Sequence, residues 1–246
     1  MHGMVKMGSN RVILITGSST GIGFSTLKYF YNNNWNIIAH YYEQNKEFDE
    51  FYKSADNSRV ISVRSDFGSN KELEDFLKII SKYKEISALL NCAGCFDFSK
   101  QTEDRMETAK KIFQINSIAP TLIAETVLEI MKKNNTGSIV NVSSIGVKFG
   151  SNLDNVFYSE SKIALETLTR SLAREGAPYN ILVNSIRPGI VDTEFYEKIG
   201  KSITERVKLI PLKRAANANE ISEFIYYLCN QNSFITGQVL PISGGE

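Results

Sequence analysis

Residues 11–23 read Arg11-Val-Ile-Leu-Ile-Thr-Gly-Ser-Ser-Thr-Gly-Ile-Gly23. The run Val12 to Ile15 is apolar throughout and rich in β-branched residues, the pattern of a short strand buried on both faces of a parallel sheet. After the glycine turn, Gly21 to about Asn34 has helical spacing, with Ile22, Leu27 and Phe30 on one face. A strand, a tight glycine turn and a helix start make a cradle for phosphate. Glycine allows the sharp turn and the close approach of a ligand, and the free N–H groups and positive end of the helix favour negative charge. Gly17, Gly21 and Gly23 are the candidate functional glycines. Their Gly-x-x-x-Gly-x-Gly spacing differs from the commoner Gly-x-Gly-x-x-Gly. Similar units occur without a ligand and in methyltransferases, so the loop alone leaves its partner open.

Outward from this loop, strand-like and helix-like runs alternate with no long linker, repeat or low-complexity segment. Strands are expected at Val12–Thr16, Asn36–Tyr41, Val60–Val63, Ser87–Asn91, Ser138–Val142, Leu182–Ile186 and Gln238–Pro241. Helices are expected near Gly21–Asn34, Lys46–Ala55, Asn70–Tyr83, Arg105–Lys133 with a break around Ala119-Pro120, Phe157–Glu175 and Asn219–Cys229. The alternation predicts an α/β fold: a doubly wound parallel sheet of seven strands with helices on both faces, one domain over 1–246. Ligands of such sheets sit at the carboxyl ends of the strands.

Composition narrows the function. A net charge of +1 offers no broad attraction for nucleic acid or an anionic membrane, so a small-molecule partner is expected. No apolar run is long enough to span a bilayer, and Met1 to Asn10 lacks the apolar core of a signal peptide; a soluble cytoplasmic protein is the expectation. Cys92, Cys95 and Cys229 are too few for a disulfide framework. Cys92 and Cys95 have no second pair and no histidine at ligand spacing, so no metal site is expected and the two read as ordinary thiols. With histidines only at His2 and His40, a Ser-His-Asp hydrolase is disfavoured.

The chemistry points to Tyr158-Ser-Glu-Ser-Lys162. Residues four apart share a helix face, so the phenol and the ammonium can enter one cleft, where the cation favours phenolate. Taken alone the pair also fits a solvated helix face. Fourteen residues upstream of Tyr158, Ser144 follows the apolar run Ile139 to Val142, with Ser143 a competing candidate and turn formation the plainer role for either.

Taken together, Thr16-Gly-Ser-Ser-Thr-Gly-Ile-Gly23, Asn91-Cys-Ala-Gly94, Asn116, Ser144, Tyr158-x-x-x-Lys162 and Arg187-Pro-Gly189 resemble the short-chain dehydrogenase/reductase family, and the similarity runs from Val12 to Gly245. Cys92 replaces an asparagine of the family's pattern, and the spacing from Ser144 to Tyr158 is one residue longer than is common. The resemblance implies a Rossmann-type fold and a bound NADP(H) or NAD(H). Its cradle would be Gly17, Ser19, Thr20, Gly21, Ile22 and Gly23. Tyr41 and Tyr42 would meet the adenosine ribose, Asp66 and Phe67 the adenine, and Asn91, Ala93 and Gly94 the cofactor's flank. Pro188, Gly189, Ile190 and Thr193 would lie at the nicotinamide, as would Tyr158 and Lys162. The catalytic set implied is Asn116, Ser144, Tyr158 and Lys162.

By the resemblance, Thr20 stands where many NADP-preferring members carry a base, so that signal is missing, and Tyr41 stands where NAD-preferring members carry aspartate. The missing aspartate tips the expectation slightly toward NADP(H), with Lys46 a candidate phosphate partner, although Glu43, twenty residues past Gly23, could receive the ribose hydroxyls of NAD. The implied activity is hydride transfer between nicotinamide and a ketone or secondary alcohol. A 3-oxoacyl thioester leads as the specific substrate; sugar, steroid or other alcohol dehydrogenase activity and a non-catalytic dinucleotide-binding regulator are the alternatives. A lid at about 192–218 and a homo-oligomer, tetramer or dimer, are also implied.

Overall fold

The computed structural model describes residues 11–96, 104–195 and 202–246. Nine strands occur among them: β1 (Val12–Thr16), β2 (Asn36–Tyr41), β3 (Val60–Arg64), β4 (Ile86–Asn91), β5 (Gly137–Val142), β6 (Ile181–Pro188), β7 (Val191–Asp192), β8 (Ala216–Asn217) and β9 (Val239–Ile242). Seven form one wholly parallel sheet in the order β3-β2-β1-β4-β5-β6-β9. The chain order reverses between β1 and β4, which opens a crevice at the carboxyl end of β1 where the glycine loop lies. The principal helices are α1 (Gly21–Asn32), α2 (Lys46–Ser54), α3 (Asn70–Ile80), α4 (Arg105–Phe113) and α5 (Ala119–Asn134), followed by the short α6 (Gly146–Phe149), α7 (Val156–Gly176), the short α8 (Ile203–Val207) and α9 (Ala218–Asn230).

Strand alternation divides the core in two. Val12 and Leu14 of β1 face α3, α5 and α7, packing with Phe76, Ile123, Val127 and Leu172, whereas Ile13 and Ile15 face α1, α2 and α9, packing with Leu27, Phe30, Phe48 and Ile225. With helices on both sides, all five residues of β1 are buried, which accounts for its unbroken apolar run.

The seven main strands and six helical regions agree with the sequence expectations to within a few residues. α1 ends two residues earlier than expected, with Asn34 in the left-handed region (φ 62°). The long fourth helix differs in kind. Instead of breaking at Ala119-Pro120 it continues through a π-helical turn, Gln114–Ile118, into α5. Proline lacks an N–H for the carbonyl four residues back and its ring collides with that carbonyl; the wider turn just before Pro120 relieves both. The turn also carries Asn116 inward, where it is fully buried.

Downstream of β6, β7 and β8 pair in parallel, Val191 with Ala216 and Asp192 with Asn217. Residues expected to form a lid thus leave and rejoin the body at one point. Residues 196–201 of that stretch lie outside the described residues.

Candidate active site

The glycine turn is shaped by backbone contacts that allow no side chain. Gly17 is left-handed (φ 70°), and a β-carbon there would stand 2.8 Å from Ala93 Cα. At Gly23 a β-carbon would meet the Gly17 carbonyl oxygen at 2.0 Å, so Gly23 closes the loop by packing against it rather than by facing a ligand. Thr16 ties the first and fourth strand ends together: its Oγ1 accepts from Cys92 N (3.0 Å) and Ala93 N (3.1 Å). α1 begins with no side-chain cap at Thr20 and no acidic residue in its first turn, leaving its positive end for a ligand. These features fit a pyrophosphate.

His40 organises the loop from below. Its Nδ1 accepts from Gly17 N (3.1 Å) and its Nε2 donates to Ser65 O (3.0 Å), a pairing that specifies the neutral tautomer. The ring stacks on Phe67, with centroids 3.8 Å apart. Burial lowers its pKa to about 4, against a smaller opposing effect of the Ser65 carbonyl. As a sequence feature His40 was informative only in arguing against a hydrolase.

Three cavities follow the strand ends. One of about 490 Å³ is bordered by Gly17, Ser19, Thr20, Tyr42, Glu43, Asp66, Phe67, Ala93 and Gly94. The next, about 220 Å³, runs over Gly21, Ile22, Ala93, Gly94, Ser144, Tyr158, Lys162, Pro188, Gly189 and Thr193. The third, about 760 Å³, opens outward past Ser144, Tyr158 and Ile190 between Phe96, Phe149 and Phe195. Ser144 and Tyr158 border both the second and the third.

Most sequence-derived candidates therefore converge, with instructive exceptions. Tyr41 packs against Phe48 and borders none of these cavities; β2 ends at Tyr41, and Tyr42 and Glu43, which follow it, take the mouth instead. Asn91 is turned into the sheet, donating to Asn141 Oδ1 (2.9 Å) and Pro120 O (3.3 Å). Asp66 borders the first cavity and also makes a local turn, its Oδ1 accepting from Gly68 N (2.8 Å). Lys46 is surface-exposed and paired with Glu50 at 3.7 Å; the lysine on the first cavity is Lys111. Ile190 borders the third cavity, and Thr193 lies over the glycine loop, its Cβ 3.6 Å from the β-carbon position of Gly21.

Beside Tyr158 and Lys162 the two candidate serines are placed differently. Ser143 is buried and donates to Glu166 Oε1 (2.7 Å), the carboxylate that Arg187 grips with Nε and a terminal nitrogen at 2.6 Å each. Ser144 stays on the cavity wall, its Oγ accepting from Gly146 N (3.1 Å). Tyr158 and Lys162 share one face of α7, with Lys162 Nζ 5.7 Å from the Tyr158 ring centroid. Lys162 is buried and donates to Val142 O (3.0 Å), and desolvation lowers its pKa. Asn116 clamps the neighbouring backbone from both sides: Oδ1 accepts from Cys95 N (2.8 Å), and Nδ2 donates to Cys95 O (2.8 Å) and Ser161 Oγ (3.0 Å). Burial pushes the Cys92 thiol up to about 11, partly offset by Lys162, which suits an unreactive wall residue. No cluster of three or more metal-binding side chains occurs among the described residues.

Residues 17–246 match the family model described as enoyl-(acyl carrier protein) reductase. Among similar proteins, Protein FixR of Bradyrhizobium diazoefficiens is 32% identical over 257 residues, spanning 100% of this chain and 90% of its own. The 3-oxoacyl-[acyl-carrier-protein] reductase FabG of Thermotoga maritima is 32% identical over 244 residues, spanning 96% and 97%. A solved structure of ElxO, a tyrosine-to-phenylalanine variant with NADPH bound, superposes with a TM-score of 0.83 at 26% identity, covering 96% of this chain and 98% of that one. The Tyr158–Lys162 pair beside a glycine cradle, the sheet order and these matches agree: the chain belongs to the short-chain dehydrogenase/reductase family of oxidoreductases.

Proposed function

We propose that the protein is an NADP(H)-dependent ketone reductase, with a 3-oxoacyl thioester or a ketone of comparable bulk as substrate. The observation that carries this reading is that Ser144 and Tyr158 stand on the wall shared by the second and third cavities, with the Lys162 ammonium behind them. A ketone entering from the wide cavity would present its oxygen to both hydroxyls. Residues of the first two cavities would hold the dinucleotide, with Gly17, Ser19, Thr20, Gly21 and Ile22 around its phosphates and Pro188, Gly189 and Thr193 near the nicotinamide. When bound, that group supplies the hydride. Tyr158 donates its phenolic proton to the carbonyl oxygen as charge develops there, and Ser144 hydrogen-bonds the same oxygen. Lys162 stabilises the resulting phenolate, which regains its proton from solvent. Asn116 keeps the Cys95 backbone and Ser161 in register around Lys162.

The preference for NADP(H) is supported by the absence of an aspartate at position 41 and by the NADPH carried by the ElxO structure. Residues 192–218 would act as the substrate lid, hinged where β7 pairs with β8. A homo-oligomer, most simply a tetramer, is supported by Ile118, Leu122 and Ile163, which are exposed on the α5 and α7 side of the molecule. A cytoplasmic setting fits the three free cysteines. The decisive test follows NADPH oxidation over 3-oxoacyl thioesters, keto sugars and cyclic ketones. Turnover by the wild type that Tyr158→Phe abolishes is the expected result; tight NADPH binding with no turnover of any carbonyl would favour a dinucleotide-binding regulator instead.

A further inference from the structure

The wide cavity is also bordered by an ion pair that the proposed chemistry does not use. Arg206 donates to Glu246 Oε1 at 3.1 Å, and both residues border the cavity. The Glu246 side chain is only 7% exposed, and its other oxygen, Oε2, is buried with no hydrogen-bond partner among the described residues. An unpaired buried carboxylate oxygen carries a desolvation cost unless a ligand supplies a donor. The residue is also held firmly. Gly244 is left-handed (φ 64°) and its carbonyl accepts from Leu212 N (3.1 Å); Gly245 lies so close to Pro211 that a β-carbon would stand 2.9 Å from its ring; and the Glu246 carbonyl accepts from Ser243 Oγ (3.1 Å). The turn Ser243–Glu246 is thereby latched to the segment that follows α8.

We propose that Glu246, oriented by Arg206, forms a polar subsite on the wall of the substrate cavity that accepts a hydrogen bond from a hydroxyl or amide N–H of the substrate. The inference rests on the ketone-reductase reading above and names a substrate class within it: ketones carrying a neutral donor remote from the reacting carbonyl. Charge decides the class. Arg206 already balances Glu246, so a cation gains little there; Lys148 also borders the cavity, but an anion placed at Arg206 itself would have to displace Glu246 against its repulsion. Purely apolar tails would leave Oε2 unpaired, the situation in which a site built to hydrogen-bond rejects an analogue lacking the group.

The test uses three ketones of equal length ending in a methyl, a hydroxyl or a carboxylate. Their kcat/KM is measured with NADPH, and their binding to the NADP-loaded protein by calorimetry, for wild type, Glu246→Gln and Glu246→Leu. Thermal melting checks that each variant is folded. The expected result is a preference of about tenfold or more for the hydroxyl over the methyl compound, expressed mainly in KM. The ratio collapses toward one in Glu246→Leu and is partly kept in Glu246→Gln. Reduction of all three ketones without discrimination, or a loss in Glu246→Leu shared equally by the hydroxyl and methyl compounds, overturns the subsite and leaves the reductase reading standing. Binding that discriminates through Glu246 without any reduction would overturn the reductase reading and leave the subsite standing. Neither discrimination nor reduction removes both.

Discussion

Gly94 presses against Lys162: a β-carbon placed on Gly94 would stand 3.2 Å from Lys162 Nζ and 3.3 Å from Asn116 Oδ1. Neither neighbour is free to give way, since Nζ is anchored on Val142 O and Asn116 is engaged by Cys95. Gly94→Ala is therefore expected to lower kcat/KM by about tenfold or more, because displacements of well under an ångström matter at a reacting centre, while the fold persists. Steady-state kinetics alongside a melting curve checks this; an alanine variant of normal activity would mean that Lys162 tolerates displacement.

Tyr158→Phe keeps the ring that packs against Phe96, with centroids 4.7 Å apart, and removes only the proton donor. Turnover should fall by roughly a hundred- to ten-thousandfold, the usual contribution of a general acid, with NADPH affinity nearly preserved. Lys162→Ala should damage both, as the ammonium also borders the cofactor cavity. Stopped-flow reduction and fluorescence titration separate the two effects. Retention of more than about a tenth of turnover by Tyr158→Phe would assign the proton to another group.

His40 links acid stability to the cofactor loop. Its pKa of about 4 in the folded protein lies below the ordinary value of 6.5, so between those pH values the unfolded chain binds the extra proton and the folded one does not. Stability therefore rises with pH across that window and is lost as pH falls through it, by about 3 kcal/mol in total. Protonation of the folded protein, around pH 4 and below, would also place an N–H on Nδ1 facing the Gly17 N–H, so NADPH affinity should weaken only at that lower pH. Denaturant titrations from pH 4.5 to 7 should show the slope, and His40→Gln should flatten it. An equal slope in the variant would place the titration elsewhere.

The pairing of Glu166 with Arg187 anchors α7, the helix that carries Tyr158 and Lys162, to β6. The Glu166 side chain is 3% exposed, so Arg187→Met leaves a carboxylate buried with only Ser143 to satisfy it. A loss of about 3 kcal/mol is expected, roughly 6 to 12 °C in Tm for a chain of this size. Calorimetry measures it; a shift below about 2 °C would show that solvent reaches Glu166 in place of the arginine.

Local pattern was enough for the order of strands and helices, the parallel sheet, the glycine cradle and the shared helix face of Tyr158 and Lys162. Each of these follows from spacing within a few residues, and the unbroken apolar run of β1 already implied helices on both faces of the sheet. Other assignments depended on what residues far apart in the chain bring to one another. Ser143 and Ser144 are chemically identical neighbours, and only the arrival of Glu166 and Arg187 beside the first leaves the second on the cavity wall. Tyr41, the last residue of β2, is turned onto Phe48 by the register that pairs it with Arg64 of β3, and Tyr42 beyond the strand end meets the cavity. The grip of Asn116 on Cys95, the His40 support of Gly17 and the Arg206–Glu246 pair join segments at least twenty residues apart in sequence, and the π turn before Pro120 follows from a helix adapting to its packed surroundings. Periodicity specifies which face of an element is buried; the partner that meets each polar atom there is decided only when the layers close.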